Sequence, residues 1–244
     1  MNPEILYPLG AGIFLIAVLY SSVGHAGASG YIAVMSLLSI APETIKPTAL
    51  ALNILVASIA TWQFAKAGHF DWRLFWPCAL PAIPFAFLGG YLSLPPAVFK
   101  IVLGIVLIYA AIRLIAPQQV DQEARRPPLP AALLCGGAIG FLAGLTGTGG
   151  GIFLTPLLLA VGWARAKSAA AVSAVFILVN SISGLLGNFS SAAYLPPELP
   201  LMLLIAAGGG LIGSYLGSTR LPATTIKRLL GVVLAIAGFK LLLA

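Results

Sequence analysis

The amino-acid sequence predicts an all-α, polytopic membrane protein that contains two homologous copies of one unit in inverted orientation. Hydrophobic residues make up 60% of the chain and charged residues only 8%, whereas a soluble domain is about one quarter charged. The apolar residues form runs that approach the ~20 residues needed to cross a bilayer. The two halves of the chain also match each other in order. Together these observations place the protein in the cell (inner or plasma) membrane, with several passes.

The net charge of +7 does not indicate nucleic-acid binding, because the basic residues sit at the ends of apolar runs. There they would contact lipid headgroups. The two cysteines, Cys78 and Cys135, lie within apolar segments and lack metal-ligand spacing, so we predict no metal site and no cofactor. The expected partners are membrane lipid and a small substrate, and the sequence is compatible with a homo-oligomer.

Residues 10–115 and 136–242 match at several points in the same order. The pairs are Gly24 with Gly144, Gly27 with Gly147, Gly30 with Gly150, the run 46–49 with 166–169, the run 89–92 with 213–216, Pro95 with Pro222, Lys100 with Lys227, Gly104 with Gly231, and Arg113 with Lys240. Their separation rises from 120 to 127 residues, as loop insertions would cause. We therefore predict a first repeat at 1–115, a polar connecting loop at 116–130 and a second repeat at 131–244.

Each repeat begins with an opening segment that glycines interrupt. The first segment, 5–40, would measure roughly 54 Å as one straight helix, far more than a ~30 Å membrane core. Glycine-rich sequence divides it at 21–30 and divides the second segment, 131–161, at 144–151. Glycine at that density ends a helix. We predict two short helices meeting at an irregular turn within the membrane, either as a re-entrant segment or as a full hairpin. Plain spans follow at 48–66, 74–92, 99–115, 168–187, 198–218 and 226–243.

The basic residues distinguish two topologies. If each broken segment enters and leaves on the same side, the repeats are inverted, and ten basic residues face one side against three on the other. If each broken segment crosses once, the distribution is seven against six. The positive-inside rule favours the inverted arrangement, with the ten facing the cytoplasm. The ten are Lys66, Arg73, Arg113, Arg125, Arg126, Arg165, Lys167, Arg220, Lys227 and Arg228, and the three are Lys46, Lys100 and Lys240.

The two glycine-rich turns are the candidate substrate site. Each leads into the N-terminus of an apolar helix, where unpaired backbone N–H groups and the helix dipole favour an anion. In inverted repeats the two N-termini would meet near the midplane, as they do around anionic substrates in many secondary transporters. Alternatively, the glycines only allow close helix packing. The residues assigned to the site are Gly24, His25, Gly27, Ser29 and Gly30 in the first turn and Thr146, Gly147, Thr148, Gly149, Gly150 and Gly151 in the second.

Three polar side chains within apolar segments belong to the same prediction. His25 is the only ionisable residue in the middle of such a segment, and it either titrates with the substrate or orders the turn as a packing histidine. Asn53 and Asn180 lie inside the first plain span of each repeat. They either line the substrate path or bond a neighbouring helix. We assign all three to substrate binding and predict no catalytic residue.

The turns, the repeat that they open and the spans that follow resemble the sulfite exporter TauE/SafE family of membrane permeases. The resemblance covers nearly the whole chain and is strongest in the second repeat. There GLTGTGGG at 144–151 precedes an apolar stretch with Pro156 and the small and polar residues of 169–183. The first repeat departs from that pattern, with GHAGASGY and no proline directly after it. The resemblance implies a permease for sulfite, a sulfonate or another small sulfur-containing or organic anion.

Two other functions are compatible with parts of the sequence. A passive anion channel would use the same turns. An intramembrane serine protease is suggested by GASG at 27–30, which rhomboid-type proteases carry around their nucleophile. However, His25 lies only four residues from Ser29, whereas rhomboid proteases bring their histidine from another helix. Gly149 also replaces Ser29 in the second repeat. The sequence therefore favours a transporter that is not an enzyme.

Overall fold

The structure, a computed structural model, describes residues 3–92, 95–115, 124–189 and 194–219 and the single positions 235, 239 and 242. Every regular element within the four continuous ranges is a helix. They are α1 (Pro3–Ser21), α2 (Ala28–Leu37), α3 (Pro42–Lys66), α4 (Trp72–Tyr91), α5 (Pro96–Ile115), α6 (Leu129–Thr146), α7 (Gly151–Ala160), α8 (Ala166–Gly187) and α9 (Leu199–Thr219). Six of these, α1, α3, α4, α6, α8 and α9, are long and apolar enough to cross a bilayer. The chain is therefore a multi-pass membrane protein.

The helix boundaries follow local sequence signals. The side chain of Asp71 caps α4 by accepting hydrogen bonds from the backbone N–H groups of Arg73 at 2.9 Å and Leu74 at 3.3 Å. Helix α3 begins at Pro42, before the predicted residue 48, because proline is well accepted in a first turn. Helices α4, α5, α8 and α9 correspond to four of the other predicted spans. The remaining span, 226–243, lies outside the continuously described residues.

Residues 22–27 separate α1 from α2, and residues 147–150 separate α6 from α7. Both connections contain glycines in the left-handed region of backbone conformation, which a residue with a Cβ adopts only with strain. They are Gly24, Gly27, Gly147, Gly149 and Gly150. We call residues 22–27 the first turn and residues 147–150 the second turn. Glycine at these positions is thus required by the backbone itself.

The backbone of the two turns corresponds at a separation of 123 residues. Gly24 and Gly147 share a φ of 76°, and the N-cap glycines Gly27 and Gly150 have φ values of 110° and 87°. Glycine matching in the sequence pairs Gly24 with Gly144 instead, three residues out of this register. The structural pairing follows the points at which α2 and α7 begin. Glycine spacing in the sequence also reflects helix packing, so the two pairings differ.

The helices pack in a pattern with two-fold character. Helix α4 lies along α6, and α1 lies along α9 in the same way. Helices α3 and α8 contact each other, while α3 also contacts α9 and α8 also contacts α4. If α1, α2, α3 and α4 are exchanged in order with α6, α7, α8 and α9, the same set of contacts results. As a result, the halves interlock instead of packing as two separate bundles.

Three connections meet at one end of the bundle. The backbone N–H of Arg125, in the loop before α6, donates to the carbonyl of Gly162, in the connection between α7 and α8, at 2.8 Å. That connection and the one between α3 and α4 line a cavity of about 740 Å³. The cavity lining includes residues 68–73, Arg165, Lys167 and Ser168. Basic residues from distant parts of the sequence thus lie on a common surface.

Glycine stripes allow the helices that cross between halves to approach closely. At each glycine of these stripes, an added Cβ would overlap a backbone carbonyl of the segment packed against it. In α6, Gly136, Gly140 and Gly144 face the carbonyls of Cys78, Ala82 and Ala86, and in α9, Gly209, Gly213 and Gly217 face those of Phe14, Val18 and Ser22. Both stripes belong to the second half, one in each of the two matching interfaces, α4–α6 and α1–α9. Close backbone approach is therefore a shared feature of both long interfaces.

Adjacent glycines in α6 test this packing. We expect Gly136→Ala to lower the free energy of unfolding by about 1–3 kcal/mol, because its Cβ would overlap the Cys78 carbonyl. Gly137→Ala should leave stability unchanged or raise it by up to about 1 kcal/mol, because alanine favours helix and its Cβ would lie 3.4 Å from the Phe85 ring. Thermal unfolding of the purified variants in detergent measures both. Equal melting temperatures for the two variants would contradict the close α4–α6 contact.

Candidate functional site

Each glycine turn packs against the first plain span of the other half. A Cβ added at Gly24 would lie 2.8 Å from the Cα atom of Ala170 in α8. A Cβ added at Gly147 would lie 3.0 Å from the Cγ atom of Lys46 in α3. Ala170 and Lys46 are therefore structurally equivalent, although the sequence comparison pairs Lys46 with Ala166. Both turns lie where protein from the other half covers them, which is the condition for irregular backbone at membrane depth.

Asn53 closes the first turn. Its side chain is fully buried, and its Oδ1 atom accepts a hydrogen bond from the backbone N–H of Ala28 at 3.0 Å. Its Nδ2 atom donates to the hydroxyl of Ser181 in α8 at 3.1 Å. Asn53 thereby caps the N-terminus of α2 and ties it to the other half of the protein. The Ala28 N–H group is consequently already used and could bind a substrate only by releasing Asn53.

Hydroxyl groups around the first turn are also paired within the protein. The Ser29 hydroxyl donates to the phenol oxygen of Tyr20 at 2.9 Å, and Tyr31 donates to the carbonyl of Ala26 at 2.8 Å. Ser29, Tyr20 and Tyr31 are all buried. At the neighbouring glycines, a Cβ on Gly27 or Gly30 would meet these aromatic side chains. The hydroxyl groups around the first turn are thus hydrogen-bonded within the protein.

In the second turn the Gly147 N–H donates to the carbonyl of Ala143 at 2.9 Å, but the N–H groups of the glycines that follow are not paired. The Thr146 hydroxyl donates to the carbonyl of Leu142 at 2.7 Å, so the Thr148 hydroxyl, 2.9 Å away, donates to Thr146. Within the described part of the chain, no acceptor receives the N–H groups of Gly149, Gly150 and Gly151, and no side chain caps α7. All three glycines are buried. Buried donors of this kind are costly and rare without a partner.

His25 joins the first turn to the start of α7. Its Nε2 atom lies 3.0 Å from the carbonyl oxygen of Gly151, and its Nδ1 atom lies 3.2 Å from that of Val23. A neutral imidazole can donate only one of these two hydrogen bonds, whereas an imidazolium can donate both. The ring is buried and meets Tyr20 edge to face, with 6.3 Å between centroids. With its proton on Nε2, the neutral ring donates to Gly151 and connects the two halves.

The structure brings some predicted site residues together and leaves one apart. Asn53 lies against Gly149, and His25 lies against Gly151, so both border the second turn. Asn180 is fully buried, and neither of its side-chain amide atoms has a hydrogen-bond partner among the described residues. No described contact joins Asn180 to either turn. Its assignment to the substrate site remains a prediction from the sequence.

Sequence reasoning missed Lys46 as a site residue. It counted that residue only as one of three basic residues on the outer side. The structure buries its side chain, which is 8% exposed, and places its ammonium group 3.1 Å from the Gly90 carbonyl. The misplaced start of α3 at residue 48 concealed this position. A helix beginning at Pro42 puts Lys46 inside the span.

Comparison with known proteins decides the family. A model of the sulfite exporter TauE/SafE family matches residues 9–241 of the chain. The chain belongs to the sulfite exporter TauE/SafE family. This TauE/SafE protein is 44% identical over 240 residues to the probable membrane transporter protein y4hK of Sinorhizobium fredii, covering 96% of this chain and 97% of that one. No solved structure matches it.

Two more distant relatives have similar names. The TauE/SafE chain is 26% identical over 250 residues to the probable membrane transporter protein YjnA of Bacillus subtilis, covering 95% of this chain and 97% of that one. It is 30% identical over 148 residues to the probable membrane transporter protein MJ0441 of Methanocaldococcus jannaschii, covering 59% and 55%. This TauE/SafE protein is therefore a membrane transporter and not an enzyme, and in a bacterial cell its location is the plasma membrane.

The hydrogen bonds around the TauE/SafE turns agree with that conclusion. A serine protease needs a base within hydrogen-bond reach of its nucleophile. The Ser29 hydroxyl donates to Tyr20, while both ring nitrogens of His25 face backbone carbonyls. The sequence GASG at 27–30 instead forms the N-cap and first turn of α2. Its small residues are explained by close packing around that turn.

Proposed function

We propose that this protein is a secondary transporter of a small anion, namely sulfite, a sulfonate or another organosulfur anion, bound between the two glycine turns near the midplane. The buried N–H groups of Gly149, Gly150 and Gly151 carry this proposal, since no described acceptor pairs with them. Each such group costs about 1–3 kcal/mol when unpaired. An anion would satisfy these groups and would also interact favourably with the positive end of the α7 dipole.

Backbone donors contribute more to this site than side-chain hydroxyls. The protons of Ser29, Thr146 and Thr148 already participate in hydrogen bonds within the protein. These hydroxyls would contact the anion only after rotation or as acceptors of a protonated substrate. His25 and Asn53 border the turns and would hold them in position around the substrate. The lack of a side chain at the glycines leaves their N–H groups accessible at close range.

We also propose that 1–115 and 131–244 are inverted repeats, joined by the loop 116–130, and that transport occurs by rocking one against the other around the fixed site. The exchange pattern of helix contacts supports this arrangement. So does the cavity shared by the α3–α4 and α7–α8 connections. Those connections would lie on opposite sides of the membrane if each broken segment crossed it once.

Uptake into proteoliposomes tests the function. With sulfite, sulfate, sulfonates and small carboxylates offered in parallel, we expect uptake of at least one sulfur-containing anion. An imposed ion gradient should drive its accumulation above the external concentration, because a secondary transporter couples the movement of its substrate to that of an ion. Empty liposomes and liposomes with heat-denatured protein are the controls. Equilibration without accumulation under proton and sodium gradients would indicate a passive channel, and movement of only cations or neutral solutes would contradict the anion site.

Cysteine labelling tests the topology. In a variant without Cys78 and Cys135, a single cysteine at position 68, 126 or 167 should react with an impermeant reagent only after permeabilisation. A cysteine at position 244 should react in intact cells, because the basic connections face the cytoplasm. Labelling of positions 68 and 167 from opposite sides would contradict the inverted arrangement.

The two histidines of the chain allow a matched test of His25. His25→Gln keeps one hydrogen-bonding group but cannot become an imidazolium. We expect the transport rate of this variant to lose much of its variation between about pH 5 and pH 8, the range in which histidine titrates. His69→Gln, in the α3–α4 connection, should retain the parent profile. If His25→Gln also retains the full pH dependence, His25 is a structural residue.

A further inference from the structure

Lys46 is a buried cation. A site that bound an anion through backbone N–H groups alone would not need it. Among the side chains that the structure describes, it is the only buried lysine or arginine. Its ammonium group donates to the carbonyls at the end of α4, at 3.1 Å for Gly90 and 3.5 Å for Gly89 and Leu92. No described carboxylate pairs with it. The carbonyl dipoles solvate the charge but do not neutralise it.

Lys46 lies directly beside the second turn. A Cβ added at Gly147 would lie 3.0 Å from the Cγ atom of Lys46 and 3.5 Å from its Cα atom. Asn53, seven residues further along α3, lies on the same helix face and contacts Gly149. Helix α3 therefore presents a cation and an amide to the turn whose last N–H groups are unpaired. The ammonium group approaches from the end of α4, on the side of Gly147.

Side chains at the equivalent positions of the other half are apolar. At the separation of 124 residues that pairs Lys46 with Ala170, Asn53 corresponds to Ile177. Ala170 contacts Gly24 and Ile177 contacts Gly151, so both occupy comparable places beside a turn or the helix after it. The backbone is thus similar in the two halves, while the charge and the amide are found only in α3. Among the described residues, only the second of the two turns therefore has a buried lysine from the other half beside it.

We propose that Lys46 supplies the fixed positive charge of the anion site and that the anion is held mainly at the second turn. This inference rests on the proposed anion transport. An uncompensated charge inside a membrane protein is costly and marks an ion pathway by default. A negative substrate beside the three glycine N–H groups offsets that charge through space. Lys46 is thus a charge-setting residue, and it need not touch the substrate.

A comparison of anions with one and two charges tests this role. The probes are methanesulfonate and methanedisulfonate, used at one pH as competitors of anion uptake by proteoliposomes that contain the full chain. Removing one nearby positive charge should weaken the binding of a monoanion on the order of tenfold, and that of a dianion by about the square of that factor. We therefore expect Lys46→Gln to reduce the affinity for methanedisulfonate much more than that for methanesulfonate.

Two further variants separate charge from structure. Lys167→Gln removes an exposed lysine from the first turn of α8 and should change neither affinity. Lys46→Arg keeps the charge but alters the hydrogen bonds to α4. It should keep the parent preference between the two anions, even at a lower melting temperature. If Lys46→Gln does not fold, the anion preference of Lys46→Arg still tests the role of the charge.

The outcomes distinguish the inference from the function on which it rests. Equal losses of affinity for both anions in Lys46→Gln, or an altered anion preference in Lys46→Arg, would overturn the charge-setting role and leave Lys46 as a cap of α4. A parent protein that transports anions while Lys46→Gln retains both affinities would do the same. A parent protein that moves no anion would instead overturn the proposed function.

Discussion

The need to pair every backbone N–H and C=O group inside the membrane governs this structure. Each of the two helix breaks lies against a span of the other half, which is the condition for irregular backbone inside a membrane. The first break satisfies its leading N–H group through Asn53, which reaches across to Ser181. The second break has no such cap among the described residues. The N–H groups of Gly149, Gly150 and Gly151 therefore have no acceptor among the described residues, and a bound anion would satisfy them.

Interlocking of the halves makes that arrangement possible. Helix α4 lies against α6 and α1 against α9, and glycine stripes remove the side chains that would hold these backbones apart. In lipid, helices associate through close packing and not through burial of apolar surface from water. Among the described residues, these glycines bring the backbones of the two halves into close contact.

The two turns have similar backbones, but the side chains that the other half places beside them differ. Both turns share their left-handed glycines and lead into a short helix. Only α3 carries Lys46 and Asn53, where α8 has Ala170 and Ile177. Two-fold backbone character suits alternating access, because a pseudo-two-fold axis in the membrane plane can relate the outward-facing and inward-facing states. A single charged substrate, however, needs its compensating charge only once, and a second buried lysine would add cost without a partner.

Composition and hydrophobic run length were sufficient to predict a multi-pass helical protein, because lipid permits few other structures. Most span boundaries could also be predicted within about three residues, since apolar runs end where charges begin. The sequence motif around the second turn indicated the family. The register of the turns, the internal pairing of the Ser29, Thr146 and Thr148 protons, and the burial of Lys46 depended on contacts between residues far apart in the chain. Such contacts decide which donors remain unpaired, and no local pattern of residues encodes them.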